Sequence, residues 1–351
     1  MITQKVDESL ALQAKDLVMQ ASDIVITAHV SPDGDAVGSA LAMCHYLKSI
    51  GKKATVVLPN AFPAFFKWMP GAREIIIFKD CRRAAIGAIN QADLIISQDY
   101  NELKRLGEEG MPAVVRGTNC KKLMIDHHLN PELFADVTIS YPQMSSTCEL
   151  LYRVLQIWNG GQLVAKDVAE CVYTGMMTDT GSFSYNSNDP DIYYIVADLI
   201  KSGIDKDEIH RNVFNNYTAD RYKMMGYALT KMEIIPEYGT SIITMSRAEL
   251  NSFNYRKGDT EGFVNMPLSI KGVFFSAFLK EEDNLIKVSL RSQGDFPCNI
   301  VASENFGGGG HLNASGGEAH GERLEDVAQR LRDALPRYKE YFDKEMAKLA
   351  E

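Results

Sequence analysis

The sequence lacks long hydrophobic runs, closely spaced cysteine pairs and an excess of basic residues. No apolar run in the 351-residue sequence approaches the roughly 18–20 consecutive apolar residues that a membrane-spanning helix needs. Its six cysteines form no CxxC pair, which leaves a zinc ribbon unsupported and makes a disulfide framework unexpected. The net charge of −9 argues against stable binding to duplex DNA. Acids and bases at helical spacing over 1–20 are not typical of a signal peptide, so we expect a cytoplasmic protein without a membrane association.

Two polar clusters stand out because each follows an apolar, β-prone run. The first follows 24–28 and the second follows 123–125. Their polar residues are His29, Asp33 and Asp35, and Asp126, His127 and His128. Unpaired carboxylates and imidazoles are costly to bury at strand ends unless an opposite charge compensates them. One or two divalent metals would supply that charge, so we interpret the clusters as metal ligands.

The first 140 residues alternate between strand-like and helix-like segments. The strand-like segments are short and rich in Ile and Val, and they cover 24–28, 54–58, 74–78, 93–97, 122–125 and 137–139. The clearest helical pattern lies between the first two, over 36–50, and Gly51 ends it. This alternation predicts an α/β domain with a parallel sheet and helices on both faces.

Beyond residue 140 the pattern is first helical and then mixed, which predicts a helical linker and a smaller α/β domain with a mixed sheet. Helical patterns cover 147–158 and 163–177, and they resume over 191–202, 205–215 and 219–233. Strands are predicted over 240–245, 272–280 and 285–291, followed by a glycine tract at 307–310 and a charged helix at 323–348. We therefore predict a first domain over 1–190, a linker over 191–235 and a second domain over 236–345.

Further carboxylates are expected to join the two clusters. Ligands of an open parallel sheet bind beyond the carboxyl ends of its strands, where Asp99 follows the strand at 93–97. Asp179 follows the helix at 163–177. Oxygen donors with a few imidazoles favour Mn²⁺, Mg²⁺ or Co²⁺ over structural zinc. Two such ions roughly 3.5–4 Å apart would suit phosphoryl chemistry.

Each of these pieces has a simpler explanation when taken alone. The first cluster could be a turn in which Asp35 caps the following helix, and adjacent histidines could be a satisfied polar edge. Asp99 and Asp179 could be ordinary loop residues. Their joint occurrence in this order favours a metal site.

Four segments resemble the successive motifs of the DHH phosphoesterase family. They read HVSPDGDAVGSALA, QDYN, MIDHHLN and TGMMTDTGSFSY. A fifth, FGGGGHLNASGG, resembles the signature of the nucleotide-binding domain associated with that family. The resemblance covers nearly the whole chain. The length and the two-domain organisation of the chain are similar to those of the nanoRNase and pAp-phosphatase branch of the family.

The resemblance implies two metal ions, typically Mn²⁺, with Mg²⁺ or Co²⁺ as alternatives. The first would be bound by His29, Asp33 and Asp99, and the second by Asp35, Asp99, His127 and Asp179. Asp99 would bridge the two ions. His128 would face the scissile phosphate, either as a contact or as a proton donor, and Asp126 would fix a histidine tautomer.

The resemblance also implies that the second domain binds the substrate. The expected substrate-binding residues are Arg291, Gly308, Gly309, Gly310, His311, Asn313 and Ser315. Glycines without a Cβ atom would allow backbone N–H groups to approach an anion closely. Taken alone, the glycine tract would more often be a flexible connector.

The expected function is hydrolysis of short oligoribonucleotides to mononucleotides, and of 3′-phosphoadenosine 5′-phosphate (pAp) to AMP, with water activated by two metals. Short single-stranded RNA and small nucleotides are the expected partners, and a homodimer is suggested only by the resemblance. Linear or cyclic dinucleotides and polyphosphate remain alternative substrates. The non-enzymatic alternative is a nucleotide-binding sensor whose metals are structural.

Overall fold

The computed structural model describes residues 2–107, 109–215 and 217–350 and contains two units, Met1–Asn216 and Tyr217–Glu351. The division falls inside 191–235, the segment predicted to be a linker. Within the described part of the chain, no helix combines the length and the apolar composition needed to cross a membrane.

The first unit is built on a six-stranded parallel sheet. Its strands are β1 (Asp23–Thr27), β2 (Lys53–Leu58), β3 (Ile76–Ile77), β4 (Leu94–Gln98), β5 (Lys121–Asp126) and β6 (Val137–Ser140). They lie in the order β3-β2-β1-β4-β5-β6, and every neighbouring pair is parallel. The strand order reverses between β1 and β4, and a crevice beyond the carboxyl ends of two such strands is the usual ligand site of an open sheet.

Helices cover both faces of this sheet, as predicted. They are α1 (Glu8–Gln20), α2 (Gly34–Ser49), α3 (Arg82–Gln91), α4 (Met111–Gly117), α5 (Thr147–Trp158), α6 (Lys166–Asp179), α7 (Pro190–Lys201) and α8 (Lys206–Phe214). Ile24 and Ile26 of β1 pack into the core with α2, α5 and α6, whereas Val25 packs into the core with α3 and α4. Burial on both faces explains why the strands are continuously apolar rather than alternating.

Two glycines allow α2 and α6 to pack very closely. A Cβ atom at Gly34 would lie 2.2 Å from Oγ1 of Thr178, and one at Gly38 would lie 2.6 Å from the carbonyl oxygen of Cys171. Close contact of the two helices fixes the start of α2 against the end of α6. Both of these helix ends carry candidate metal ligands.

The second unit contains a six-stranded mixed sheet. Its elements are α9 (Ala219–Thr230), β7 (Glu233–Ile235), β8 (Thr240–Met245), α10 (Arg247–Ser252), β9 (Phe275–Glu281), β10 (Leu285–Ser292), α11 (Cys298–Phe306), β11 (Gly309–Gly310), β12 (Ala314–His320), α12 (Leu324–Ala334) and α13 (Lys339–Ala350). The order is β11-β12-β10-β9-β8-β7; β8 and β9 are parallel and the other pairs are antiparallel. The predicted fold class, including a smaller domain with a mixed sheet, is confirmed.

Several predicted elements have different limits in the structure. The helix predicted over 323–348 is wrong as a single element, because a 3-10 turn, Leu335–Tyr338, separates α12 from α13. That turn contains Pro336, which has no N–H group to continue the α-helical hydrogen bonds. The strand predicted over 74–78 shrinks to β3. The helix predicted over 219–233 ends at Thr230, since the following residues pair with β8 as β7.

Candidate metal centre

His29 lies two residues beyond β1, and its ring is oriented by the backbone. Its Nδ1 donates a hydrogen bond to the carbonyl oxygen of Val30 at 2.8 Å. Nε2 therefore faces two carboxylates, 3.3 Å from Oδ2 of Asp99 and 3.8 Å from Oδ1 of Asp33. Burial disfavours a charged ring, but the two carboxylates raise the pKa of His29 to about 10. The position thus favours a positive charge next to the carboxylates.

Asp33 and Asp35 have different roles at the start of α2. Asp33 is the N-cap, and its Oδ1 accepts hydrogen bonds from the backbone N–H groups of Asp35 and Ala36 at 3.0 and 3.1 Å. The Asp33 side chain remains exposed, whereas Asp35 is 1% exposed. The residue that caps the helix is therefore Asp33, and Asp35 is left to face the interior.

The N-terminus of α5 holds the Asp35 carboxylate. The backbone N–H of Thr147 donates to Oδ2 at 2.6 Å, and that of Cys148 donates to Oδ1 at 2.9 Å. Burial, with the nearby carboxylates of Asp99 and Asp179, raises the pKa of Asp35 well above its usual value. A cation among these groups would remove this mutual repulsion, so the donor set fits a bound metal.

Asp99 connects the two sides of the centre. Its backbone is left-handed, with φ of 61°, and its N–H donates to the carbonyl oxygen of Ile125 at 3.2 Å. Oδ2 faces His29, while Oδ1 lies 3.7 Å from Nε2 of His127 and accepts a hydrogen bond from Oγ1 of Thr147 at 2.9 Å. Each carboxylate oxygen thus faces a different histidine, an arrangement compatible with a ligand shared by two ions.

His127 follows β5 and resembles His29 in its orientation. Its Nδ1 donates to the carbonyl oxygen of Met144 at 3.1 Å. Its Nε2 lies 3.5 Å from Oδ2 of Asp179 and 3.9 Å from Oδ2 of Asp35. A histidine whose Nδ1–H is engaged by a carbonyl leaves Nε2 for a metal. Asp179 proves to be the last residue of α6 rather than a residue of the following loop.

His128 is oriented by Asp126, which lies two residues before it. Oδ1 of Asp126 lies 2.7 Å from Nδ1 of His128, and Oδ2 accepts the backbone N–H of His128 at 3.0 Å. Asp126 is fully buried. This double contact fixes both the ring and the backbone of His128.

The structure brings together all the residues predicted for the metal centre. Donor atoms lie within 4.8 Å of one another in three groups of the first unit: His29, Asp33 and Asp99; Asp35, His127 and Asp179; and Asp99, Asp126 and His128. Sequence reasoning missed Thr147 and Cys148. The helix start at 147 was visible in the sequence, but Asp35, which it contacts, lies more than 100 residues earlier in the chain.

In the second unit, the glycine tract is part of a hairpin rather than an open loop. Gly309 and Gly310 form β11 and pair with Gly316 and Ser315 of β12. The N–H of Gly308 donates to the carbonyl oxygen of Ala302 at 3.2 Å, so this group is engaged within the unit. Gly308 and Gly310 must be glycine because the backbone of the 314–317 segment approaches them so closely. A Cβ atom at Gly308 would lie 1.9 Å from the carbonyl oxygen of Gly316.

The other predicted substrate-binding residues surround this hairpin. His311 begins its turn, with its N–H donating to the carbonyl oxygen of Ala314 at 2.8 Å. Asn313 donates to Oγ of Ser292 at 2.9 Å and to the carbonyl oxygen of Gly294 at 3.0 Å. The remaining two are Ser315, which is buried and donates to Sγ of Cys298, and Arg291, which pairs with Ala314 across β10 and β12. Asn313 and Ser315 thus use their side-chain donors within the unit.

Both units match known families. Residues 23–176 match the DHH family, N-terminal domain, and residues 239–337 match the DHHA1 domain. A protein of Thermus thermophilus named bifunctional oligoribonuclease and PAP phosphatase NrnA is 27% identical over 329 residues, which are 93% of this chain and 94% of that protein. A protein of Streptococcus mutans named probable bifunctional oligoribonuclease and PAP phosphatase NrnA is also 27% identical. The similarity covers 89% of this chain and 94% of that protein.

A solved structure is also similar along nearly the whole chain. The crystal structure of an exopolyphosphatase-related protein from Bacteroides fragilis has 46% sequence identity and a TM-score of 0.92. The similarity covers 97% of this chain and 100% of that chain. Both units are therefore shared with a single known protein.

Proposed function

Since the chain belongs to the DHH family and is a hydrolase of phosphoester bonds, we propose that it hydrolyses short oligoribonucleotides to mononucleotides and pAp to AMP. The observation that carries this proposal is the position of Asp99 between two groups of metal-type donors at the carboxyl edge of the sheet. The T. thermophilus and S. mutans relatives, which are named for both activities, support the choice of substrates.

The donor groups would hold two divalent ions. The first would be bound by His29, Asp33 and Asp99, and the second by Asp35, Asp99, His127 and Asp179. Four carboxylates with two imidazoles suit Mn²⁺, with Mg²⁺ or Co²⁺ as alternatives. When bound, such ions act as Lewis acids on the phosphoester and provide a strong nucleophile from water at neutral pH.

The protein's own residues prepare this centre. The carbonyl groups of Val30 and Met144 fix the two ligand histidines with Nε2 directed at the carboxylates. Asp126 engages Nδ1 of His128, which leaves Nε2 to face the scissile phosphate and the leaving oxygen. In the second unit, Arg291 and His311 would bind substrate phosphate at the exposed Gly309–Gly310 strand, with Asn313 and Ser315 holding the hairpin.

End-labelled RNA of two to ten nucleotides, with pAp alongside, tests the proposal in Mn²⁺ buffer. We expect mononucleotides from the shortest RNAs and AMP with inorganic phosphate from pAp. Polyphosphate is a necessary second substrate, because the B. fragilis relative is described as exopolyphosphatase-related. Linear and cyclic dinucleotides, the other alternative substrates, are tested in the same buffer. Cleavage of polyphosphate alone would replace the proposed substrates, and binding of nucleotides without any turnover would support the sensor alternative.

Thr147→Val should weaken metal binding about 10–100-fold, which is the usual cost of losing an outer hydrogen bond to a metal ligand. The substitution removes the hydroxyl that donates to Asp99 but keeps the backbone N–H that donates to Asp35. Titration of the metal-free protein with Mn²⁺ by calorimetry measures the change.

Thr174→Val is the matched control for this experiment. Thr174 is a buried threonine of α6 whose hydroxyl donates to the carbonyl oxygen of Glu170, at 2.7 Å. Its replacement should leave Mn²⁺ affinity unchanged. Equal affinities of the Thr147→Val variant and the wild type would show that Asp99 does not need this hydroxyl in order to bind metal.

A further inference from the structure

The segment that follows Asp179 has an unusual backbone. Gly181, Ser182 and Phe183 are consecutive left-handed residues, with φ of 53°, 58° and 62°, and Asn186 has φ of 49°. Left-handed residues other than glycine are uncommon, and such strain concentrates at sites of binding or catalysis. The loop is therefore held in this shape against its own conformational preference.

Hydrogen bonds to the end of α6 hold the loop in place. The N–H of Ser182 donates to the carbonyl oxygen of Met177 at 2.7 Å, and that of Phe183 donates to Oγ1 of Thr180 at 3.0 Å. The N–H of Tyr185 donates to the carbonyl oxygen of Thr180 at 3.2 Å. Thr180 is fully buried and immediately follows Asp179, so the loop is fixed relative to a proposed metal ligand.

The two aromatic residues of this loop have opposite environments. Phe183 packs inward, with its ring 5.8 Å from that of Tyr173. Tyr185 remains 50% exposed, and its ring covers Gly181 so closely that a Cβ atom there would lie 2.2 Å from Cε1 of the tyrosine. Gly181 follows Asp179 by two residues, a span of at most about 7 Å. The half-exposed ring thus lies against a residue that follows the proposed metal ligand Asp179 by two positions.

We propose that Tyr185 is a substrate-binding residue whose ring stacks on a nucleobase next to the phosphoester being hydrolysed. A ring fixed by a rigid loop loses little freedom on binding, and every base has a π-face on which it can stack. This contact selects for a base without selecting its identity, as an enzyme acting on short RNA of any sequence requires. The inference rests on the proposed function, since it names how that same site recognises a nucleoside.

The test compares pAp with its base-free counterpart, 1-O-methylribose 3,5-bisphosphate. For Tyr185→Ala we expect a roughly tenfold higher KM for pAp and for an RNA trinucleotide, with kcat changed less than about twofold. The KM for the base-free compound should not change. Tyr185→Phe and Tyr185→Trp should keep a low KM for pAp, because both side chains retain an aromatic face.

Tyr194→Ala is the control, since Tyr194 of α7 is 51% exposed and lies outside the loop. It should alter neither KM. An unchanged KM for pAp in the Tyr185→Ala variant would overturn the proposal. So would an equal rise for pAp and the base-free compound, which would assign the tyrosine to phosphate binding or to loop structure.

Equilibrium dialysis of the same two compounds separates this inference from the proposed function. A wild-type protein that binds pAp but hydrolyses neither pAp nor RNA would contradict the proposed function alone. In that case Tyr185→Ala should still weaken pAp binding about tenfold and leave binding of the base-free compound unchanged. Equal dissociation constants of wild type and variant for pAp would overturn the stacking contact.

Discussion

Asp99→Asn should lower the turnover of short RNA and pAp by about a thousandfold or more while leaving the fold intact. The amide cannot provide two anionic oxygens, so it cannot serve the His29 and His127 sides of the centre together. Asparagine is a better test than alanine because position 99 is left-handed, with φ of 61°, and asparagine tolerates that conformation. Steady-state kinetics gives the loss of turnover, and metal analysis of the purified protein should find fewer ions per chain.

Asp93→Asn is the matched control at the opposite end of the same strand. Asp93 precedes β4 and accepts hydrogen bonds from the N–H groups of Ser22 and Asp23 at 2.8 and 3.1 Å. Its substitution should lower the stability slightly and leave the number of bound metal ions per chain unchanged. If the Asp99→Asn variant kept more than about a tenth of the wild-type turnover, the assignment of Asp99 as the bridging ligand would be wrong.

Gly175→Ala should destabilise the first unit by about 1–3 kcal/mol and weaken metal binding at the same time. A Cβ atom at Gly175 would lie 2.2 Å from Sγ of Cys148 and 2.8 Å from Oδ1 of Asp35. Cys148 is fully buried, so it cannot move without disturbing the start of α5, which holds the Asp35 carboxylate. Thermal unfolding of the metal-free protein gives the stability change, and Mn²⁺ titration gives the affinity.

Gly87→Ala controls for the general effect of replacing a helical glycine. Gly87 lies in α3 of the same unit, and a Cβ atom there would have no neighbour within 4 Å. Alanine should stabilise this helix by about 0.5–1 kcal/mol, because glycine is the poorer helix former. A Gly175→Ala variant that gained the same stability would show that the contact between α2, α5 and α6 tolerates an extra methyl group.

The sheet and the centre at its edge were predictable because their signals are local. Short apolar runs marked the strands, and three of them, at 24–28, 93–97 and 122–125, ended at polar residues that the structure brings together. The order of β1, β4 and β5 then placed Asp99 between the two clusters. The difference between Asp33, which caps α2, and Asp35, which faces inward, required the structure, because both positions are compatible with a helix start.

What the sequence did not predict depends on contacts between distant segments. The binding of Asp35 by the start of α5 joins residues 112 positions apart, and no local pattern encodes it. The glycine tract resembled an anion-binding loop, yet Gly308 and Gly310 are needed for close pairing with β12. Pro336 was a local signal for the break in the last helix, but the charged periodicity on both sides of it favoured one continuous helix.

The proposed metal ligands belong to elements that are far apart along the chain. Asp35 lies at the start of α2, Asp99 follows β4, His127 follows β5 and Asp179 ends α6. An ion bound by all four would bind only the folded chain, and its binding free energy would add to that of folding. At a free metal concentration a hundred times the dissociation constant, this linkage contributes about 2.7 kcal/mol. The supply of metal in the cell would then set how long each molecule survives as well as how fast it works.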